Sequence, residues 1–116
     1  MRNSKTSRRL RIRQRIRKHL QGTAARPRLS VYKSNKAIYT QLINDEQGHT
    51  LAASSSRTGS LQEGTRIDKA RKVGEDLATK ALARDIHTIV FDRSGYLYHG
   101  QVKALAEGAR AKGLQF

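Results

Sequence analysis

The first 44 residues of this chain contain no acidic residue, and this constrains its folding more than any other feature of the sequence. Residues 1–28 carry 11 lysines and arginines, whereas residues 45–116 carry 11 bases against 9 acids. Because like charges repel, the basic N-terminal segment cannot close on itself into a core. We therefore expect the folded body to lie downstream, and an anion from outside the chain to neutralise the basic segment.

Length and composition exclude several classes of protein. A chain of 116 residues is long enough for one modest core, and it contains no cysteine for disulfides or thiolate metal sites. No apolar run approaches the roughly 20 residues that span a bilayer, and arginines interrupt every apolar stretch that could serve as a secretory signal. We expect a cytoplasmic protein with a basic arm, residues 1–25, and one globular domain, residues 26–116.

The arm has an ambiguous periodicity. Alternating arginines across residues 9–17 match a strand, whereas Ile12, Ile16 and Leu20 form a narrow helical stripe. Gly22 follows as a helix stop, and residues 21–27 have the composition of a linker. We predict a helix that is formed or completed on the partner.

The net charge of +15 favours a polyanionic partner, with nucleic acid first. Three other interpretations of the arm stay open at this point. It could be a solvated disordered tail, an organellar targeting peptide, or a segment that binds anionic membrane.

Three strands are expected after the arm, at Arg28–Lys33, 37–44 and 49–54. The first alternates apolar and polar residues, and the second is rich in β-branched and aromatic residues. Short connections at 34–36 and 45–48 carry the Asn and Gly that tight turns require. This order predicts an antiparallel meander.

The rest of the body alternates helix, strand and helix. Thr65 and Asp68 resemble a capping box before a helix that should run to about residue 84. Its apolar stripe consists of Ile67, Ala70, Val73, Leu77, Ala81 and Leu82. The apolar run 88–91 predicts a strand covered on both faces, and Gly113 ends a second helix with Val102, Leu105, Ala106 and Ala109. We predict an α/β fold with a mixed four-stranded sheet packed by two helices; the fourth strand could lie beside the first or the third.

No catalytic motif is present, since the chain has no phosphate-binding loop, zinc-protease motif or nucleophile elbow. The four histidines are scattered, with no pair at metal-ligand spacing. His99 with Asp92 and Glu107 could suggest acid–base chemistry, but a structural or RNA-contacting histidine is the better interpretation. We predict no active site, metal or cofactor.

Two segments have the chemistry of a binding site. The turn Lys33–Lys36 presents cations and short polar side chains suited to phosphate and ribose oxygens, and Tyr32 and Tyr39 flank it, where they could stack on unpaired bases or belong to the core. Residues 91–103 leave a buried strand and enter a helix N-terminus, a place where α/β sheets tend to bind anions.

Three motifs carry a resemblance that covers almost the whole chain. RPRLSVYKSNKAIYTQLI, FDRSGYLYHG and VKALAEGARAKGLQF resemble the bacterial large-subunit ribosomal protein eighteen family, universal family uL-eighteen. The resemblance implies an α/β fold akin to ribonuclease H without its catalytic carboxylates. It also implies a structural protein that binds 5S rRNA and helps to attach it to 23S rRNA in the central protuberance, beside neighbouring 5S-associated proteins. It implies no enzymatic activity, cofactor, small-molecule substrate or membrane partner.

Carried over by matching motif, the resemblance implies a set of RNA-contact candidates. In the arm these are Arg8, Arg9, Arg11, Arg13, Arg15, Arg17 and Lys18; in the first hairpin they are Arg26, Arg28, Ser30, Tyr32, Lys33, Ser34, Asn35, Lys36, Tyr39 and Gln41; in the C-terminal loop they are Arg93, Ser94, Tyr96, Tyr98, His99, Gly100 and Lys103. The chain departs from the family at Ala37, where histidine is common, and at Gln101, where arginine is common. The alternatives are a nonspecific DNA-compacting protein and a small nuclease on the same fold.

Overall fold

The structure is a computed structural model, which describes residues 22–23 and 25–116. Residues 1–21 and 24 of the arm lie outside the described residues, and so do its predicted helix and its seven candidate cations, Arg8, Arg9, Arg11, Arg13, Arg15, Arg17 and Lys18. These remain predictions from the sequence, as does the boundary between arm and domain.

The predicted meander is confirmed. Strands β1 (Arg28–Lys33), β2 (Ile38–Asn44) and β3 (His49–Ser55) pair antiparallel in succession. Alternation of apolar and polar residues sets the register, because a slip by one residue would turn the apolar side chains of β1 to the other face. Tyr32 of β1 thus lies opposite Tyr39 of β2.

The fourth strand, β4 (Val90–Asp92), pairs parallel with β1, so the order in the sheet is β3-β2-β1-β4. This decides between the two positions that the sequence left open. The strand starts two residues later than the predicted 88–91 and ends one residue later; Thr88 instead forms an isolated bridge to Gln115 in the C-terminal segment.

Helix α1 spans Arg66–Ala83 and helix α2 spans Gln101–Ala111. The predicted capping box is confirmed: the Asp68 N–H donates to the Thr65 hydroxyl, and the Thr65 N–H donates to the Asp68 carboxylate. The bond from the Thr65 backbone holds the pKa of Asp68 below its ordinary value. A short 3-10 helix, Gly59–Gln62, lies between β3 and α1.

Both helices contribute to one core on one face of the sheet, which confirms the predicted α/β fold class. Leu29, Val31 and Leu42 of the sheet share this core with Val73 and Leu77 of α1 and with Val102 and Leu105 of α2. Ile67 is the exception in the predicted stripe. It lies in the first turn of α1 near Gly100, and the residue is 41% exposed.

The two helices cross with their backbones in direct contact. A Cβ on Gly74 of α1 would overlap the carbonyl oxygen of Leu105, and a Cβ on Gly108 of α2 would overlap that of Arg71. These neighbours are backbone atoms, so no side chain can rotate away to make space. The crossing therefore requires glycine on both helices.

We expect Gly108→Ala to lower the free energy of unfolding by about 3 kcal/mol, because overpacking here forces the helices apart. Gly74→Ala should have a similar effect. The matched control is Gly48→Ala, where no atom lies within 4 Å and only the positive φ of +64° opposes the change; we expect a loss of about 1 kcal/mol there. Urea titrations of the three variants would measure this, and equal losses would contradict the close crossing.

Candidate nucleic-acid interface

Among the described residues, no helix packs on one face of the sheet, and four of the candidate residues lie on this face. The pairing places Ser30 opposite Gln41 and Tyr32 opposite Tyr39, on the face away from the core. These four side chains line a shallow depression of about 470 Å³, together with Ser34 and Thr40. We call this the open sheet face.

Two tyrosines dominate the open sheet face. The rings of Tyr32 and Tyr39 have centroids 5.8 Å apart and are tilted by 34°. Tyr32 is 59% exposed, so it is not a core residue, and Tyr39 is half-buried. Exposed aromatic faces on a sheet can stack on unpaired bases, as they do in several RNA-binding folds.

The hairpin tip at Lys33–Lys36 is held by its serine. The Ser34 N–H donates to the carbonyl oxygen of Ala37, and the Ala37 N–H donates to the Ser34 hydroxyl at 3.2 Å. Ser34 thus shapes the turn, whereas Lys33, Asn35 and Lys36 are exposed. Two lysines and an amide remain available to phosphate and ribose oxygens.

Tyr96 connects the hairpin tip to the C-terminal loop. The Lys33 N–H donates to the Tyr96 hydroxyl at 3.1 Å, and the Lys33 ammonium lies 5.4 Å from the centre of the Tyr96 ring. Ser94 and Ser30 bring their hydroxyl oxygens to 3.4 Å. Because β4 lies beside β1, the two segments that the sequence singled out separately form one continuous surface.

Within the C-terminal loop, Ser94 and Tyr96 are buried and position the backbone. Ser94 has a φ of +56°, and its N–H donates to Asp92 at 2.8 Å. Tyr98 accepts a hydrogen bond from Arg110 and contacts Phe91 edge-on. The remaining candidates in this segment form its outer surface: His99 and Lys103 are exposed, and Arg93 and Gly100 are half-buried.

Arg28 has a place that the sequence did not predict. It is only 6% exposed, and its guanidinium donates to both carboxylate oxygens of Asp45 at 2.9 Å and to Asp92 at 2.8 Å. The hydrogen bond with Asp45 raises the pKa of Arg28 above its ordinary value. This arginine therefore joins the β2–β3 turn to β4 inside the body.

The segment before β1 also contacts the body. The Gly22 N–H donates to Asp45 at 2.7 Å, and the Asp45 N–H donates to the Gly22 carbonyl oxygen at 3.0 Å. Pro27 is fully buried, and its carbonyl oxygen accepts from Val90. Arg26 is exposed. Gly22 and Pro27 therefore hold the segment before β1 against the body, beside the Arg28 cluster.

Three cations near the hairpin tip were not among the predicted RNA contacts. Arg57, Arg66 and Lys69 line a groove together with Lys36. They belong to the nearly neutral part of the chain, so their charge did not stand out. Spacing gave one partial signal, since Arg66 and Lys69 lie three residues apart on a helix and so share a face.

Within residues 22–23 and 25–116, no group of three or more His, Asp or Glu side chains is placed to hold a metal ion. The same part of the chain contains no helix long and apolar enough to cross a membrane.

Comparison with known proteins gives a consistent family. The sequence model described as "Ribosomal L18 of archaea, bacteria, mitoch. and chloroplast" matches residues 3–116. The chain is 54% identical over 116 residues to the large ribosomal subunit protein uL18 of Chloroherpeton thalassium, covering 97% of each chain. It is also 54% identical to uL18 of Staphylococcus aureus (strain JH9) over 109 residues, covering 93% of this chain and 92% of the relative.

Proposed function

This chain belongs to the ribosomal L18 family, and we propose that it is a structural rRNA-binding protein whose target is 5S rRNA, which it helps to attach to 23S rRNA. The membership confirms the family predicted from the motifs and the predicted place in the large ribosomal subunit. It makes rRNA and ribosomal proteins the partners of this chain. The choice of 5S rRNA, the bridging role and the individual contacts are the proposal.

The observation that carries the proposal is the open sheet face beside a lysine-bearing tip. Tyr32 and Tyr39 offer aromatic surface, Ser30 and Gln41 offer hydrogen bonds, and Lys33 and Lys36 offer charge. Stacking needs bases that are not paired in a duplex, whereas cations serve any phosphate backbone. The combination favours folded RNA with accessible bases over uniform duplex DNA.

A purely structural role agrees with the chemistry of the described residues. Asp92, which would have to serve a nuclease near His99, is fully buried and bonded to Arg28 and to the Ser94 N–H. A metal-dependent nuclease needs several carboxylates that converge on the ion. We propose that the protein performs no chemistry on its RNA.

Binding to 5S rRNA and to duplex DNA of equal length, measured across a salt series, tests the proposal. We expect affinity for both at low salt, and selectivity for 5S rRNA as salt screens the charge contribution. Equal affinities at every salt concentration would favour the DNA-compacting alternative. We expect the RNA to stay intact with and without magnesium. Cleavage of the RNA would favour the nuclease alternative.

A double variant, Tyr32→Ala with Tyr39→Ala, tests the open sheet face. We expect the affinity for 5S rRNA to fall at least tenfold, since stacking contributes about 1–3 kcal/mol per base. The matched control is Tyr32→Phe with Tyr39→Phe, which keeps both rings and should bind within about threefold of wild type on that scale. If the alanine and phenylalanine variants bind alike, the rings do not contact bases.

A further inference from the structure

A second groove lies on the other side of the hairpin tip from the tyrosines. Its walls come from the tip, the end of β3 and the first turns of α1 and α2, with Lys36, Ser56, Lys69 and Gln101 among the lining residues. An adjoining hollow adds Arg57 and shares Lys36, Ser56 and Lys69. Each has a volume of about 270 Å³. We call the two together the tip cleft.

The tip cleft is bordered by four cations from three separate parts of the chain: Lys36, Arg57, Arg66 and Lys69. Among the described residues, none of the four side chains forms an ion pair. Asp68, the acidic residue in the first turn of α1, turns its carboxylate to the Thr65 N–H. Like charges that line one cleft repel one another, and an anion bound among them reduces that cost.

The tip cleft and the open sheet face share Ser34 at the hairpin tip but otherwise lie on different sides of the sheet. Ile38, which lines the cleft, is buried in the core, and α1 forms a wall on the helix side of the sheet. Tyr32 and Tyr39 lie on the opposite side. An RNA segment whose bases stack on the tyrosines would therefore not occupy the tip cleft as well.

We propose that the tip cleft binds the phosphate backbone of a second stretch of rRNA, so that the hairpin tip is gripped between two RNA segments. The inference deepens the proposed function and rests on it. The cleft has the donors for a backbone: two lysines, two arginines and the polar side chains of Asn35 and Gln101.

An acidic protein segment is the competing occupant, and the lining argues against it. Protein interfaces are anchored by buried apolar and aromatic side chains. Among the described residues, the apolar ones that line the cleft are Ala37 and Ile38, and both are buried in the body. Charge without an apolar anchor matches a polyanion whose own surface is phosphate and sugar.

The test compares two triple variants of equal charge, each in the full chain. The cleft variant carries Arg57→Gln, Arg66→Gln and Lys69→Gln; the control carries Arg71→Gln, Arg84→Gln and Lys112→Gln, at exposed positions outside the cleft. Thermal unfolding checks that both are folded. Binding to 5S rRNA and, separately, to 23S rRNA is measured across a salt series, and hydroxyl-radical footprinting maps the protected backbone.

We expect the cleft variant to bind one of the two RNAs about tenfold to a hundredfold more weakly than the control does, with the salt slope reduced by about 3. One protected stretch should disappear, while the stretch lost in the Tyr32→Ala, Tyr39→Ala variant stays protected. Equal affinities and footprints for cleft variant and control on both RNAs would overturn the inference, even if wild type binds 5S rRNA well. Conversely, a cleft effect on 23S rRNA without selective 5S binding would support the cleft and overturn the proposed target.

Discussion

Deleting residues 1–20 should largely abolish binding to 5S rRNA while the body stays folded. If about seven arm cations each neutralise a phosphate, the logarithm of affinity falls with the logarithm of salt at a slope of about −5 to −6. The full chain should then lose about a thousandfold in affinity between roughly 50 and 200 mM salt. The deletion variant should show a much flatter dependence, in filter-binding or fluorescence-anisotropy titrations.

The end point of this deletion matters, because Gly22 exchanges two hydrogen bonds with Asp45. Truncation at residue 20 keeps these bonds and Pro27 in place. A control chain in which the arm arginines and Lys18 become glutamine keeps the length and removes only the charge. If that chain binds like wild type, the arm acts through its shape and not its charge; if the deleted chain unfolds, the arm belongs to the domain.

The second large effect should follow Arg28→Met, which we expect to lower the free energy of unfolding by about 3–5 kcal/mol. The change removes the guanidinium from Asp92, a carboxylate with no exposed surface, and from Asp45. Removing one partner of a buried ion pair leaves a charge in a poorly solvated place, which costs about that much. Urea titrations at neutral pH would measure the loss.

Two further variants separate this effect from the simple loss of an arginine. Arg84→Met removes an exposed arginine that donates to the Leu51 carbonyl oxygen, and we expect a loss of less than about 1 kcal/mol. Adding Asp92→Asn to Arg28→Met should recover part of the stability, because the amide is neutral and its oxygen can still accept from Ser94. If Arg28→Met, Arg84→Met and the double variant all lose the same free energy of unfolding, the buried cluster contributes little to stability.

Local patterns in the sequence predicted the elements of this fold well. Alternation of apolar and polar residues predicted the bounds of β1. Thr65 with Asp68 predicted the start of α1, because capping depends on residues within one turn. The partner of β4 could not be predicted, since a short apolar run fits beside either neighbouring strand. Its start at Val90 could not be predicted either, since Thr88 pairs with Gln115 at the far end of the chain.

The candidate site, too, was predictable where local pattern decides and not where distant residues meet. Tyr32 and Tyr39 follow from the hairpin register, whereas the inward position of Arg28 depends on Asp92, 64 residues later. In a strongly basic segment, charge alone does not distinguish an arginine bound for RNA from one paired inside the body. The tip cleft was missed for a related reason: Lys36 and Arg66 are brought together by tertiary structure, and neither belongs to a charge run.

The parallel pairing of β1 with β4 has a consequence for synthesis. A ribosome makes the arm first, but β1 lacks its second neighbour, β4, and Arg28 lacks its buried carboxylate, until residues 90–92 have emerged. Pairing across so long a stretch of chain closes late in folding. A nascent or truncated copy thus displays its polycationic end well before it has a finished body, and in that interval an RNA ligand or a chaperone would have to shield it from other nucleic acid in the cell.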